Sequence, residues 1–501
     1  MSTERRELIA KKACTRCSTH KRRCDKAIPY CGLCTRLRQT CKYELPRVSS
    51  SGPTPSPSPR PEIFLGSGTF TPSHLKDAII QKFGPLTPED TLSAYCRAIE
   101  PWFPIVSIPR LRSRLSLTWD EAPLDVALLC LSIILLTTTP ASSPEDDNDP
   151  SEFKSLYLYT KSSMTATEGL GINSFLIVQS RILVTLFEVA HGFYPAAYIS
   201  IGAAVRAADA LEIHPGADAS PSHSLDDGAK REETVLIWCE PLLTEFPELK
   251  LWCHLLTASR YIAIESGPHP SLTRLRSPSL HDLLKPTLCP THLHHQDRTN
   301  PICRLARLFE ASSLLDKIHT TLNSPTAEHA FKELISTVET LINLQTILNE
   351  EIGDGVQLYA GGLGLCNTFG FVDGALLLAF EDGSKVPLIA GVTENCKSVA
   401  TTSLISIVST ITSTVEPFTL GTQSIDFNFL PPFVTFLVHK AAAIVTGWLL
   451  MDSDSNEGMR KLRILRNFLR IVGERWLGCE RYLKLLNEDT TPRTLKTLEQ
   501  G

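Results

Sequence analysis

Six cysteines fall within the first 41 residues: Cys14, Cys17, Cys24, Cys31, Cys34 and Cys41. Their spacing is C-x2-C-x6-C-x6-C-x2-C-x6-C, so C-x2-C-x6-C occurs twice, offset by 17 residues. Soft thiolates at short fixed spacing suit tetrahedral zinc, because each C-x2-C pair offers two ligands to one ion. The competing chemistry is a disulfide framework, which goes with a secretory leader. The opening residues, MSTERRELIAKK, are polar and charged, with no apolar stretch of that kind. The other nine cysteines (96, 130, 239, 253, 289, 303, 366, 396 and 479) are scattered singly, as in reduced intracellular proteins. The spacing therefore predicts a metal centre. Lys11, Lys12, Arg16, Lys21, Arg22, Arg23 and Lys26 crowd the same segment. A metal-ordered fold within a cationic surface points to nucleic acid.

The elements that must position these groups are short. Ser18–Arg23 is long enough for one to two helical turns, and it ends in Lys21-Arg22-Arg23. Cations there suit the dipole of a helix C-terminus, which accounts for them without any partner. The charge partition argues for more. Residues 1–47 carry 13 Lys+Arg against 4 Asp+Glu, a net of +9, whereas the remainder nets −14 within a whole chain at −5. That is the electrostatic footprint of a basic nucleic-acid module on an acidic body, with contact confined to the N-terminal part. The basic runs also fit a nuclear import signal.

The cysteine string, with Lys21 before Arg22-Arg23-Cys24-Asp25, Pro29 before Cys31, and Tyr43 two residues past Cys41, resembles the fungal binuclear zinc cluster (Zn2Cys6) transcription factors. The resemblance implies two zinc ions held by six cysteines, the first and fourth bridging both. Cys14, Cys17, Cys24 and Cys31 would hold one ion, and Cys14, Cys31, Cys34 and Cys41 the other. Six ligands make two four-coordinate sites only if two are shared. So small a segment has almost no apolar core, so zinc binding would supply its folding free energy. The resemblance also implies a short helix docked in the major groove of double-stranded DNA, with Lys21 donating to guanine O6 and N7 in a CGG half-site. His20, Arg16, Arg22, Arg23 and Lys26 join the DNA-binding set, with Arg16, Arg23 and Lys26 expected mainly on phosphates. His20 and Ser18 stand where many family members carry Arg or Lys, so base preference or affinity is expected to depart from the usual pattern.

The expected organisation is a Zn2Cys6 DNA-binding module of two short helix-strand repeats (1–45), a disordered Ser/Pro-rich linker (46–62), a large all-α domain (63–490) and a tail (491–501). The linker reads PRVSSSGPTPSPSPRP over 46–61. No heptad run succeeds it; Leu75–Phe83 is helical in pattern but too short for a coiled coil. This leaves open a homodimer through the helical body or a single half-site. Gln179–His214 is the clearest helix pair, with apolar residues at spacings of three and four and Pro195 near the break. The same stretch resembles the fungal-specific transcription factor domain, at Gln179, Leu183, Phe187-Glu188, Gly192, Ala197-Tyr198, Gly202, Arg206, Ala208, Leu211 and His214. Its usual Leu-Gly-Leu-His ending appears as Leu211-Glu212-Ile213-His214. Leu430-Pro431-Pro432-Phe433 and Arg475-Trp476 fit as well. Trp238-Cys239 and Trp252-Cys253 form a doubled landmark that reads as an insertion or a gene-model artefact.

Other signals point to bland roles. Val126–Leu136 and Phe433–Met451 read as buried helices rather than membrane spans. Cys289, His292, His294 and His295 read as a loop, and the acidic stretch 142–152 as a surface insert. No Walker loop, G-x-G-x-x-G or G-x-S-x-G constellation has supporting context, and Gly361-Gly362-Leu363-Gly364 lacks the Lys-Ser/Thr of a phosphate cradle, so no enzyme reading stands. The expectation is a nuclear, zinc-dependent regulator of RNA polymerase II genes, with family likeness pointing to a pathway or secondary-metabolite cluster. Co-regulators and a small-molecule effector are its expected further partners. Two rival readings are a metabolite-sensing receptor with secondary DNA binding and a zinc-buffering thiolate protein, the second leaving the +9 charge and the long body unexplained.

Overall fold

The computed structural model describes residues 12–27, 30–37, 41–43, 70–115, 118–140, 152–213, 247–265, 301–323, 327–353, 362–385, 394–452 and 455–500. The linker, Trp238-Cys239, the 289–295 cluster and the acidic residues 142–151 lie outside them. The chain divides into two compact units, 1–68 and 69–501.

The first unit has two five-residue helices, α1 (Thr15–Thr19) and α2 (Gly32–Arg36). Neither is long enough to persist alone in water. Each starts from a cysteine with matching extended backbone, Cys14 (φ −60°, ψ 152°) and Cys31 (φ −72°, ψ 146°). The sequence repeat is thus a structural repeat. Its strand halves do not form among the described residues, where Ala27 makes only an isolated bridge. The helix expected over Ser18–Arg23 is also displaced. It stops at Thr19 because the chain turns back on itself: Lys21 N–H donates to Ser18 O at 3.1 Å and Arg22 N–H to Cys17 O at 2.8 Å. This pair of bonds is the Schellman closure, which needs a left-handed residue after the cap. Lys21 is that residue, with φ 48°.

Among its described residues the second unit is helical, without strands. Its elements are α3 (Pro72–Phe83), α4 (Pro88–Ala98), α5 (Ile108–Arg114), α6 (Leu124–Thr137), α7 (Glu152–Gly169), α8 (Phe175–Ala190), α9 (Tyr194–Asp209), α10 (Pro247–Glu265), α11 (Pro301–Leu322), α12 (Ala327–Gly353), α13 (Gly362–Lys385), α14 (Glu394–Thr419), α15 (Val434–Met451), α16 (Asn456–Gly473), α17 (Gly478–Asp489) and α18 (Pro492–Gln500). Start signals are local. Thr87 and Asp90 form a reciprocal capping box at α4, and Pro195 occupies the first turn of α9. The segment expected as a tail is helix α18, whose Thr491-Pro492 start is the same kind of signal, with Thr494 N–H donating to Thr491 Oγ1 at 3.3 Å.

Helix α6 is apolar all round and lies at the centre of α3, α4, α7 and α8. Leu75, Ile79 and Phe83 of α3 are buried in this core, so that short apolar face is used inside the body. A second group gathers α11, α12, α14 and α15 around α13. By length and composition α15 and residues Lys397–Thr419 are apolar enough to cross a membrane. Val438, Ala441, Ala442 and Val445 of α15 are buried within the body. Phe433 joins the two groups through rings of Tyr261 (4.7 Å), Phe371 (5.3 Å) and Trp102 (6.2 Å).

Of the body residues singled out in the sequence, Gln179, Leu183, Phe187, Ala197, Ala208 and Trp476 are buried, whereas Arg206 is exposed and His214 lies outside the described residues. Trp476 Nε1 donates to Leu430 O at 3.1 Å, joining two of those landmarks directly. The Arg475 guanidinium stacks on the Trp476 ring at 4.3 Å and donates to Leu136 O at 2.8 Å and Thr138 O at 2.6 Å. It thereby closes the carbonyl end of α6 from the far end of the chain. Burial pulls its pKa down to about 10, which leaves it charged at neutral pH. Glu212 stands at φ 55°, a left-handed position that glycine would occupy without strain. At Gly478 an added Cβ would meet Ala190 O at 2.8 Å, so α17 abuts the end of α8 backbone to backbone.

Removing the Arg475 side chain leaves two carbonyls at a buried helix end without their charged donor. Arg475→Ala should cost about 2–4 kcal/mol of body stability. Chemical denaturation followed by tryptophan fluorescence measures it, and an Arg475→Ala curve overlaying the parent would refute the capping role.

Candidate metal centre and nucleic-acid interface

The repeat brings the six sulfurs together. Cys14 and Cys17 sit one turn apart at the start of α1, as do Cys31 and Cys34 at α2. Sγ–Sγ separations are 3.8 Å for Cys14–Cys31, 3.8 Å for Cys14–Cys34, 3.7 Å for Cys17–Cys31 and 4.0 Å for Cys17–Cys34. Zinc–sulfur bonds of about 2.3 Å in a tetrahedron put sulfurs about 3.8 Å apart, so the three separations other than Cys17–Cys34, which share no ion, fit the metal. Two groups of four have all their sulfurs within 4.8 Å of one another: Cys14, Cys17, Cys24 and Cys31, and Cys14, Cys31, Cys34 and Cys41. Cys14 and Cys31, the two helix-starting cysteines, belong to both. No other group of metal-binding side chains of this kind occurs among the described residues.

Supporting contacts hold the repeats in register. Cys31 Sγ accepts from Cys34 N–H at 3.4 Å, and Cys41 Sγ from Cys31 N–H at 3.3 Å. Thr15 N–H and Oγ1 both reach Lys42 O, at 2.8 and 3.1 Å, tying the end of the second repeat to the start of the first. Asp25 Oδ2 accepts from Gly32 N–H at 2.8 Å, and Tyr43 Oη donates to Ala27 O at 2.9 Å. A Cβ at residue 32 would lie 2.6 Å from Asp25 Oδ2, so a larger residue there would make the Asp25 carboxylate shift from its bond to the Gly32 N–H. Asp25 and Tyr43 were legible as motif letters, but their positioning roles were not, and Gly32 gave no signal.

Burial and the neighbouring sulfurs push the Cys17 and Cys34 thiols up, Cys34 to about 12. Burial acts on Cys31 the same way, but the Cys34 N–H and adjacent thiols outweigh it and hold Cys31 below the usual thiol range. Burial, with the Cys24 sulfur alongside, raises the Tyr43 hydroxyl. Without metal the cluster therefore keeps protons that zinc must displace, and affinity for the ion rises with pH. When bound, zinc cross-links the two repeats through thiolates and supplies the cohesion that a core of five buried cysteines, Leu33 and Tyr43 cannot.

The cationic residues cluster beyond the end of α1, apart from Arg16 within it. His20, Lys21, Arg22 and Arg23 are exposed, while Arg16 and Lys26 are partly covered. Lys26, like Lys21, has a left-handed backbone, with φ 61°.

Residues 12–49 match the model of the fungal Zn(2)-Cys(6) binuclear cluster domain. A curated relative, named Transcription factor BOA15, from Botryotinia fuckeliana (strain B05.10), is 32% identical over 126 residues, covering 25% of this chain and 67% of that protein. The chain belongs to the fungal Zn(2)-Cys(6) binuclear cluster family. No solved structure matches it.

Sharing of Cys14 and Cys31 has a stoichiometric consequence. Native mass spectrometry should count two zinc ions per chain. Cys34→Ser should leave one, because the other tetrad stays complete. Cys31→Ser should strip both tetrads to three thiolates and lose both ions at chelator concentrations that the Cys34 variant survives. Equal counts for the two variants would contradict the shared-ligand arrangement.

Proposed function

We propose that the protein is a zinc-dependent, sequence-specific DNA-binding regulator of RNA polymerase II transcription that acts in the nucleus through CGG-type sites. Membership of the binuclear cluster family, a relative named as a transcription factor, and the +9 charge of residues 1–47 support this reading. In it Lys21 donates to guanine O6 and N7, Arg16, Arg23 and Lys26 hold phosphates, and His20 and Arg22 flank the base-reading position. The body is the family's fungal-specific regulatory domain, carrying contacts to co-regulators and to any effector. The regulated genes form a pathway or secondary-metabolite cluster.

The observation that carries the reading is the backbone of Lys21. A left-handed non-glycine residue costs about 1–2 kcal/mol, and glycine is the usual occupant of this helix-closing position. A long cationic side chain is held there at φ 48°, exposed, at the end of a zinc-organised helix. Such outliers gather at functional sites, and unlike Glu212 of the body Lys21 stands within the basic run beside the zinc cluster.

The test separates stability from function at one residue. Lys21→Gly should relieve the strain and leave the zinc count and thermal stability equal or higher. Lys21→Ala should keep the strain. Both should weaken binding to a CGG duplex by roughly 10- to 100-fold, the range of one good base contact. Unchanged affinity for Lys21→Gly, by fluorescence anisotropy at fixed salt, would remove Lys21 from the base-reading role.

A further inference from the structure

Five of the six cluster sulfurs belong to sealed residues: Cys14 and Cys31 are 0% exposed, Cys17 and Cys34 2%, and Cys41 6%. Cys24 alone of the six is partly exposed. It comes directly after the exposed Arg22 and Arg23, and its sulfur lies 4.0 Å from Tyr43 Oη. A thiol bound to zinc is deprotonated, so all six are nucleophiles in the loaded protein and access decides which one reacts. The membership of each tetrad decides which ion is lost when that one reacts. Cys24 and Cys17 belong only to the first group, whereas Cys14 and Cys31 also serve the second.

We propose that Cys24 is a modification site for hydroperoxides, and that its oxidation ejects one zinc ion while the other stays. The inference rests on the two-zinc reading of the cluster. The Cys24 thiolate attacks the peroxide, forming an S–O bond as the O–O bond breaks. The leaving hydroxide takes a proton to become water, and the sulfur is now a sulfenic acid. The Cys17 thiolate, within 4.8 Å in the same tetrad, attacks that sulfur. An S–S bond forms, the S–O bond breaks, and a second hydroxide leaves as water on protonation. Two thiolates, one hydrogen peroxide and two protons thus give one disulfide and two waters. The first ion, left with Cys14 and Cys31 alone, departs. Cys14, Cys31, Cys34 and Cys41 remain reduced and complete around the second. The device links DNA reading to peroxide, because Cys17 and Cys24 bracket the turn that carries Lys21.

The experiment uses the full-length zinc-loaded chain titrated with hydrogen peroxide. Zinc release is monitored with a chromogenic chelator, the bound count by native mass spectrometry, and the modified residues by peptide mapping. The expected course is two ions falling to one, a Cys17–Cys24 disulfide, and return of the first ion on adding thiol and zinc. Cys24→His offers a nitrogen ligand that peroxide does not convert to a sulfenic acid, and once loaded with zinc it should release the first ion more slowly. Cys96→Ser, in the helical body, should change nothing. Loss of both ions together, first oxidation at another cluster cysteine, or equally fast release from Cys24→His would overturn the proposal while leaving the two-zinc cluster intact. A starting count other than two would overturn the cluster reading and the proposal with it. Should Cys24→His fail to load, mapping of the parent chain decides alone.

Discussion

Everything in the N-terminal unit depends on two sulfurs doing double service. Cys14 and Cys31 each begin a five-residue helix and each belong to both tetrads. Helices this short carry no stability of their own. The buried hydrophobic material around them is little more than the cysteines themselves. Zinc is therefore the core of the unit, and the two shared thiolates make it one core rather than two. The Schellman closure, the strained Lys21 and the exposed run to Arg23 all hang from a helix that only metal ligation holds in place.

The helical body obeys different physics. Its core is apolar side chains packed from both ends of the chain, and Arg475 is a buried charge placed where a helix would otherwise end unsatisfied. It closes α6, and Trp476 beside it reaches Leu430. The two units also differ in charge, +9 over residues 1–47 against −14 for the remainder. Long-range attraction to a polyanion is thus concentrated in the zinc-dependent part, and the body's net charge discourages nonspecific association.

The ligand set was legible because thiolate spacing is a covalent constraint, read straight from the positions of six letters. The cationic residues were legible as charges, but not as geometry. A lysine carries no left-handed signal, so the sequence suggested a helix through Arg23 where the chain turns at His20. The body's helical class was legible in apolar spacings such as Leu183–Leu186–Phe187, which α8 buries. The joins between distant segments were not. The contact of Arg475 with Leu136 spans 339 residues, and no local pattern encodes it. The helix at Pro492 was hidden for the opposite reason: its Thr-Pro start is present, but composition suggested a tail.

Selection from a randomised duplex library by the full-length chain tests the central claim most directly, with zinc and again with a chelator. The account predicts enrichment of CGG-containing sites that disappears when the metal is removed. Enrichment that persists in chelator, or none at all with two zinc ions bound, would contradict it.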